Sequence, residues 1–126
     1  MKIALIAHDN KKADMVNFVT KRLEFFNRPD VEIVATGTTG TKIIAAGIEK
    51  VQTFQSGPIG GDAEIAALVV QKQIAAVIFL RDPLGKHPHD PDISMLMRLC
   101  DVHNIPLATN TQTAEMILNA ISGTEH

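Results

Sequence analysis

Residues 75–80 of this chain read AAVIFL, six apolar side chains in succession. That is the length of a strand, and successive side chains of a strand point to opposite faces. A strand apolar on both faces has to be covered on both, as strands are inside a parallel sheet flanked by helices. The rest of the chain obeys the same constraint. KIALIA (2–7), VEIVAT (31–36), VQTF (51–54) and IPLAT (105–109) predict four further strands. Between them lie helical stretches. DMVNFVTKRLEFF (14–26) puts Met15, Val19, Leu23 and Phe26 on one face, and TKIIAAG (41–47) is a short helix that Gly47 is placed to end. AEIAALVVQK (63–72) and TAEMILNAI (113–121) follow the same period, and DISMLMRLCDVH (92–103) turns Ile93, Leu96, Met97 and Cys100 inward. Strands alternating with helices make βαβ units. The expectation is an α/β fold: a single-domain three-layer sandwich, Rossmann-like, with a five-stranded, mainly parallel sheet and helices on both faces.

Composition narrows the class of partner. The 126 residues suffice for one domain with a real core. A net charge of −2 offers no basic footprint for a nucleic acid. The N-terminal apolar run, residues 3–7, is too short for a signal peptide, and no run approaches membrane-spanning length. The single cysteine, Cys100, excludes an intrachain disulfide and fits a reducing compartment. A cytoplasmic protein with no nucleic-acid or membrane partner is the expectation.

In parallel α/β sheets, ligands sit beyond the carboxyl ends of the strands. The segments following the strands here are HDNKK, TGTTG, SGPIGGD, RDPLGKHPHDPD and TNTQT. The connections at the other edge are NRPD, IEK, QI and NIP. Glycines, hydroxyls, histidines and aspartates collect on one side, so the carboxyl edge is where function is expected.

Each segment admits a structural and a chemical reading. ATGTTG (35–40) is either a tight turn with a threonine cap or a cradle in which backbone N–H groups and threonine hydroxyls meet an anion. It matches neither the P-loop nor the dinucleotide fingerprint. In SGPIGGD (56–62), Ser56 and Gly57 add donors for the same anion. Asp62 is a helix cap or a general base. Spacing favours the cap, because a helix N-terminus weakens a carboxylate as a base. Lys11 and Lys12 fall in the first helical turn, where a cation opposes the macrodipole; alone they read as a solvated pair, and beside an anion as a binding site. His8 faces the same crevice. In KHPHDPD (86–92), Asp90 and Pro91 suit a helix start, while His87 and His89 bracket Pro88 in a chelating arrangement. A zinc site wants three or four protein ligands, and the supply elsewhere is thin. Acid–base chemistry therefore ranks above metal binding.

Taken in order, ALIAHDNKK, ATGTTG, SGPIGGD, RDPL, PHDPD and NIPLATN resemble the methylglyoxal synthase family closely, across residues 4–110. The resemblance implies that residues 1–126 form one domain of that type. It implies a metal-independent lyase without a cofactor, converting dihydroxyacetone phosphate to methylglyoxal and inorganic phosphate. It carries roles over to matching positions: Asp62 as the carboxylate that removes the proton, and His89 as the contact to the carbonyl and hydroxyl oxygens. His8 and Lys12 match substrate-binding positions. Thr36, Gly37, Thr38 and Thr39 match the phosphate cradle, with Ser56 and Gly57 beside it, and Asp9, Asp82 and Asp92 match supporting carboxylates. Family members are typically homohexamers, and inorganic phosphate regulates some of them. Longer members reach a neighbouring site with a basic residue beyond the last helix. Here no Lys or Arg follows Arg98, so that route of coupling is not expected. The same fold also serves as an effector-binding module, and a phosphosugar isomerase would use the same substrate; both remain alternatives.

Overall fold

The computed structural model describes residues 1–54, 61–85 and 93–123, with Gly61 and Asp62 described by backbone alone. Strands β1 (Lys2–Ala7), β2 (Glu32–Thr36), β3 (Val51–Phe54), β4 (Ala76–Leu80) and β5 (Leu107–Ala108) form one sheet in the order β3-β2-β1-β4-β5. Every pairing is parallel, so the expected "mainly" becomes "wholly". Helices α1 (Lys12–Thr20), α2 (Leu23–Phe26), α3 (Gly37–Ala45), α4 (Gly61–Val70), α5 (Ile93–His103) and α6 (Thr111–Ser122) make the connections. Among the described residues, no helix is long and apolar enough to cross a membrane.

The period of two divides the core cleanly. Ile3, Leu5, Ile33, Ile78 and Leu80 face one layer with Met15, Phe18, Val19, Phe26, Ile43 and Leu118 from α1, α2, α3 and α6. Ala4, Ile6, Val34, Val77 and Phe79 face the other, against Ile65, Val69, Leu96 and Cys100 from α4 and α5. β4 is buried along its whole length, as AAVIFL required. Burial pushes the Cys100 thiol up to about 11, so this side chain is packing rather than a nucleophile.

Four expectations need correction. The stretch 14–26 is not one helix. Arg22 leaves the helical region at φ −132°, ψ 30°, and the chain restarts as α2. A long-range interaction sits at this break. Arg22 Nε donates to Glu115 Oε1 at 3.0 Å, and Nη2 donates to Glu115 Oε2 and, at 3.2 Å, to Asn119 Oδ1 on α6. Such a bidentate fork has strict geometry, which no local periodicity contains. Met15, Val19 and Phe26 still bury fully.

The second correction is that α3 begins at Gly37, so TGTTG is mostly its first turn rather than a loop. Glycine and threonine are poor helix formers, yet Gly40 is needed there. A Cβ on Gly40 would run into the Thr53 side chain on β3 and sit 3.6 Å from Ala35 Cβ. Gly47 ends this region as expected, at φ +119°. Thirdly, Met97 stays 40% exposed while Ile93, Leu96 and Cys100 bury, because the apolar stripe of α5 is narrower than its pattern. Fourthly, β5 is only two residues long. An exposed asparagine at φ +59°, Asn104, turns the chain ahead of it, and Pro106 lends the sheet a carbonyl but has no N–H to give.

The Arg22 fork holds the Glu115 carboxyl below the usual carboxylate range, chiefly through its hydrogen bond. A depressed carboxylate stabilises the fold above its unfolded pKa and loses that effect as pH falls through its folded one. Arg22→Met should cost about 0.5–1 kcal/mol at neutral pH by urea denaturation, and the difference should vanish in acid. Gly40→Ala should destabilise by about 1–2 kcal/mol, and adding Thr53→Ala should recover most of it by removing the obstructing methyl.

Candidate active site

The strand order reverses beside β1. The chain runs outward from β1 to β2 and β3, then returns to add β4 and β5 on β1's other side. Loops leaving β1 and β4 therefore depart to opposite layers, and a crevice opens between them at the carboxyl edge. Ala7 pairs with Leu80 at its floor, and the next amide, that of His8, donates to Leu80 O at 3.0 Å.

His8 is held from both sides. The backbone N–H of Asp82 donates to His8 Nδ1 at 2.9 Å. An atom that accepts a hydrogen bond carries no proton, so the ring proton resides on Nε2. The ring also stands edge-on to Phe79, with centroids 5.3 Å apart at 88°. The Asp82 carboxylate closes its own turn: Oδ1 accepts from the amides of Leu84 and Gly85, each at 3.0 Å. Its Oδ2 accepts from Asn10 Nδ2 at 2.9 Å. The Asn10 bond first, then the Leu84 amide, hold the Asp82 carboxyl below its ordinary value.

Lys11 and Lys12 separate. Lys11 is partly exposed and pairs loosely with Asp14 at 3.6 Å, as a solvated lysine would. The Lys12 side chain is only 12% exposed. Its ammonium lies 3.2 Å from Ala7 O and 2.6 Å from Asp9 Oδ1. It thus reaches back to the end of β1, and Asp9 balances its charge.

The start of α3 lies in the neighbouring position. Leu5 pairs with Ala35, so β1 and β2 run side by side to the carboxyl edge, where β2 passes into α3. The amides of Gly37, Thr38 and Thr39 belong to the first turn and have no acceptor within the helix. Thr36 occupies the N-cap with extended backbone but makes no side-chain cap, and no acidic residue stands in the first turn. At α6, by contrast, Asn110 Oδ1 accepts from Thr113 N at 2.9 Å. Thr36 and Thr39 are both buried. Thr39 Oγ1 has no hydrogen-bond partner among the described residues, a costly state for a buried hydroxyl. Among the described residues, this helix start has donors without acceptors, and an arriving anion would supply the acceptors.

The structure places His8, Asp9, Lys12, Thr36, Gly37, Thr38, Thr39 and Asp82 at the carboxyl edge, in the segments at or just after the ends of β1, β2 and β4. Ser56, Gly57, His87, His89, Asp90 and Asp92 lie outside the described residues. Asp62 is the second residue of α4, so it stands inside the helix rather than in the cap position that spacing favoured. Among the described residues, no group of three or more His, Cys, Asp or Glu is placed to hold a metal. Sequence reasoning missed Asn10 because its partner is 72 positions away. A cleft of about 450 Å³ opens at the same edge toward β5, lined by Lys11, Arg81, Pro83 and Thr109. None of its lining residues belongs to α3.

The sheet order and its helices on both faces are those of a doubly wound α/β protein, with its polar loops gathered at the carboxyl edge. Residues 14–109 match the family model of the MGS-like domain. The chain belongs to the methylglyoxal synthase family. It is 54% identical to the methylglyoxal synthase of Bacillus velezensis over 123 residues, covering 98% of this chain and 88% of that one. To that of Borrelia garinii it is 51% identical, covering 97% and 95%. The crystal structure of methylglyoxal synthase from Elizabethkingia anophelis superposes with a TM-score of 0.86 at 43% identity, over 93% of this chain and 76% of that one.

Thr39→Val keeps the shape and removes the orphaned hydroxyl. Thermal denaturation of the ligand-free protein should show stability unchanged or raised by up to about 1 kcal/mol. Calorimetric titration should show affinity for inorganic phosphate falling by roughly 5- to 20-fold, the worth of one hydrogen bond to a charged acceptor.

Proposed function

We propose that the chain eliminates inorganic phosphate from dihydroxyacetone phosphate to give methylglyoxal, and that residues 1–126 act as one domain in doing so. The observation that carries this is the start of α3, without a side-chain cap or an acid in its first turn and with a Thr39 hydroxyl that has no partner among the described residues, at the same sheet edge as a sequestered lysine. That arrangement suits a phosphate dianion.

Thr36, Gly37, Thr38 and Thr39 hold the phosphate, joined by Ser56, Gly57 and the Lys12 ammonium. Asp62 takes a proton from the hydroxymethyl carbon next to the carbonyl. The electron pair left behind forms the enediolate, and His89 donates to the oxygen on which charge develops. The enediolate then expels phosphate as the carbon–oxygen bond breaks. The amides and Lys12 stabilise the charge that the leaving group gains. The resulting enol tautomerises to methylglyoxal. His8 serves as a donor from Nε2, because its Nδ1 is already an acceptor. Asp9 balances Lys12, and Asp82 and Asp92 support the site. An isomerase would reprotonate the enediolate instead, and an effector module would leave the substrate unchanged.

The same reading makes the protein a cytoplasmic homohexamer, with phosphate as product and regulator and with no nucleic-acid or membrane partner.

Incubation with dihydroxyacetone phosphate should release a dicarbonyl and free phosphate in equal amounts, unaffected by a chelator. Glyceraldehyde phosphate as product, or unchanged substrate, would overturn the proposal. Asp62→Asn should lower kcat by roughly 10²- to 10⁴-fold with phosphate affinity retained, and His89→Ala should lower it strongly as well. Near-normal turnover in Asp62→Asn would place the base elsewhere.

A further inference from the structure

We propose that Asn10 is a positioning residue that acts on His8 through Asp82. The chain of contacts is continuous. Asn10 Nδ2 donates to Asp82 Oδ2 at 2.9 Å, and the other oxygen of that carboxylate accepts from the amides of Leu84 and Gly85. The carboxylate therefore organises its own turn and is tied across the crevice to the segment that leaves β1. The backbone amide of the same residue donates to His8 Nδ1 at 2.9 Å. One residue thus uses its side chain to take hold of Asn10 and its main chain to orient the histidine.

The geometry explains why a tie is needed. Asp82 lies two residues beyond the end of β4, and strand pairing no longer directs its amide. The last backbone bond beside it, Arg81 N to Thr109 O, is already long at 3.4 Å. Phe79 steadies the histidine ring but, as an edge-on apolar contact, does not choose between its nitrogens. Hydrogen bonding at one imidazole nitrogen settles what the other can do. With the Asp82 amide on Nδ1, the atom that donates is Nε2. Asn10 is exposed and belongs to the 3-10 turn Asp9–Lys11, between His8 and Lys12. It holds the two lips of the crevice, after β1 and after β4, in one register. No feature of the sequence singles it out, and its type matters through its N–H donor.

The kinetic part rests on the reaction proposed above; the spectroscopic part does not. In protein labelled with nitrogen-15, the parent should show His8 Nδ1 in the unprotonated range, with a coupling across the hydrogen bond to the Asp82 amide. Asn10→Ala should weaken or abolish that coupling and lower kcat/KM by roughly 3- to 10-fold, the range of one exposed hydrogen bond. Asn10→Asp, which replaces the donor with a like charge, should lose at least as much. In a His8→Ala background, Asn10→Ala should cause no further loss, since the effect passes through the histidine. Persistence of the coupling in Asn10→Ala overturns the proposal, and so does an equal kinetic loss with or without His8. Asn10 is exposed, so both variants should fold, as circular dichroism will check. If the parent forms no methylglyoxal, the proposed reaction fails alone. The clamp is then judged by the coupling and by affinity for inorganic phosphate.

Discussion

The pairing of β1 with β4 is the constraint from which the rest of this molecule follows. Five residues of each strand align in parallel, from Ile3 with Ala76 to Ala7 with Leu80. Parallel neighbours cannot be joined by a hairpin, so every connection has to cross a face of the sheet as a helix. Because β4 pairs with β1 rather than with β3, the helices before and after it cover the opposite layer from α1 and α3. That single choice of partner creates the reversal in strand order. It also opens the crevice where His8 meets the amide of Asp82.

Stability and site chemistry pull apart at this edge. The start of α3 lacks the side-chain cap that α6 has, and it buries a threonine hydroxyl that has no partner among the described residues. Each feature weakens the free protein. Each makes sense if the missing acceptors arrive with a ligand. Elsewhere the polar groups are settled at home: the Arg22 fork on α6, and the Arg28 guanidinium bidentate on Asp30. At the start of α3 the usual capping and hydrogen-bond rules are left unmet, as is common where a protein keeps a site open. The burial of Lys12 belongs to the same pattern. Its charge is balanced by Asp9, yet it sits at the end of β1, where the adjacent helix start is rich in donors.

The sequence made the layers legible because their physics is periodic. KIALIA and AAVIFL read as strands, and the structure forms them at Lys2–Ala7 and Ala76–Leu80. Met15, Val19, Ile93, Leu96 and Cys100 face the core as their spacing required. The collection of glycines and polar groups after strands was legible too, because loops at the carboxyl edge differ in composition from those opposite. Lys12 was less so. As a sequence feature it is one of two adjacent lysines, and only its burial separates it from Lys11. The extent of α3 was misread because Gly-Thr-Thr-Gly is poor helix material, tolerated where a glycine must lie against Thr53.

What the sequence determined by itself was the class of fold, the burial of β4 on both faces, the edge at which chemistry collects and the family to which the chain belongs. These depend on short-range periodicity and on ordered local motifs, which a linear string contains. Strand order, the break at Arg22, the Nε2–H state of His8 and the tie from Asn10 to Asp82 were decided by tertiary structure alone. Each depends on groups about 70 or more positions apart, or on the direction of a single backbone amide. Neither leaves a trace in composition or period, because a hydrogen bond across a crevice is specified by position in space.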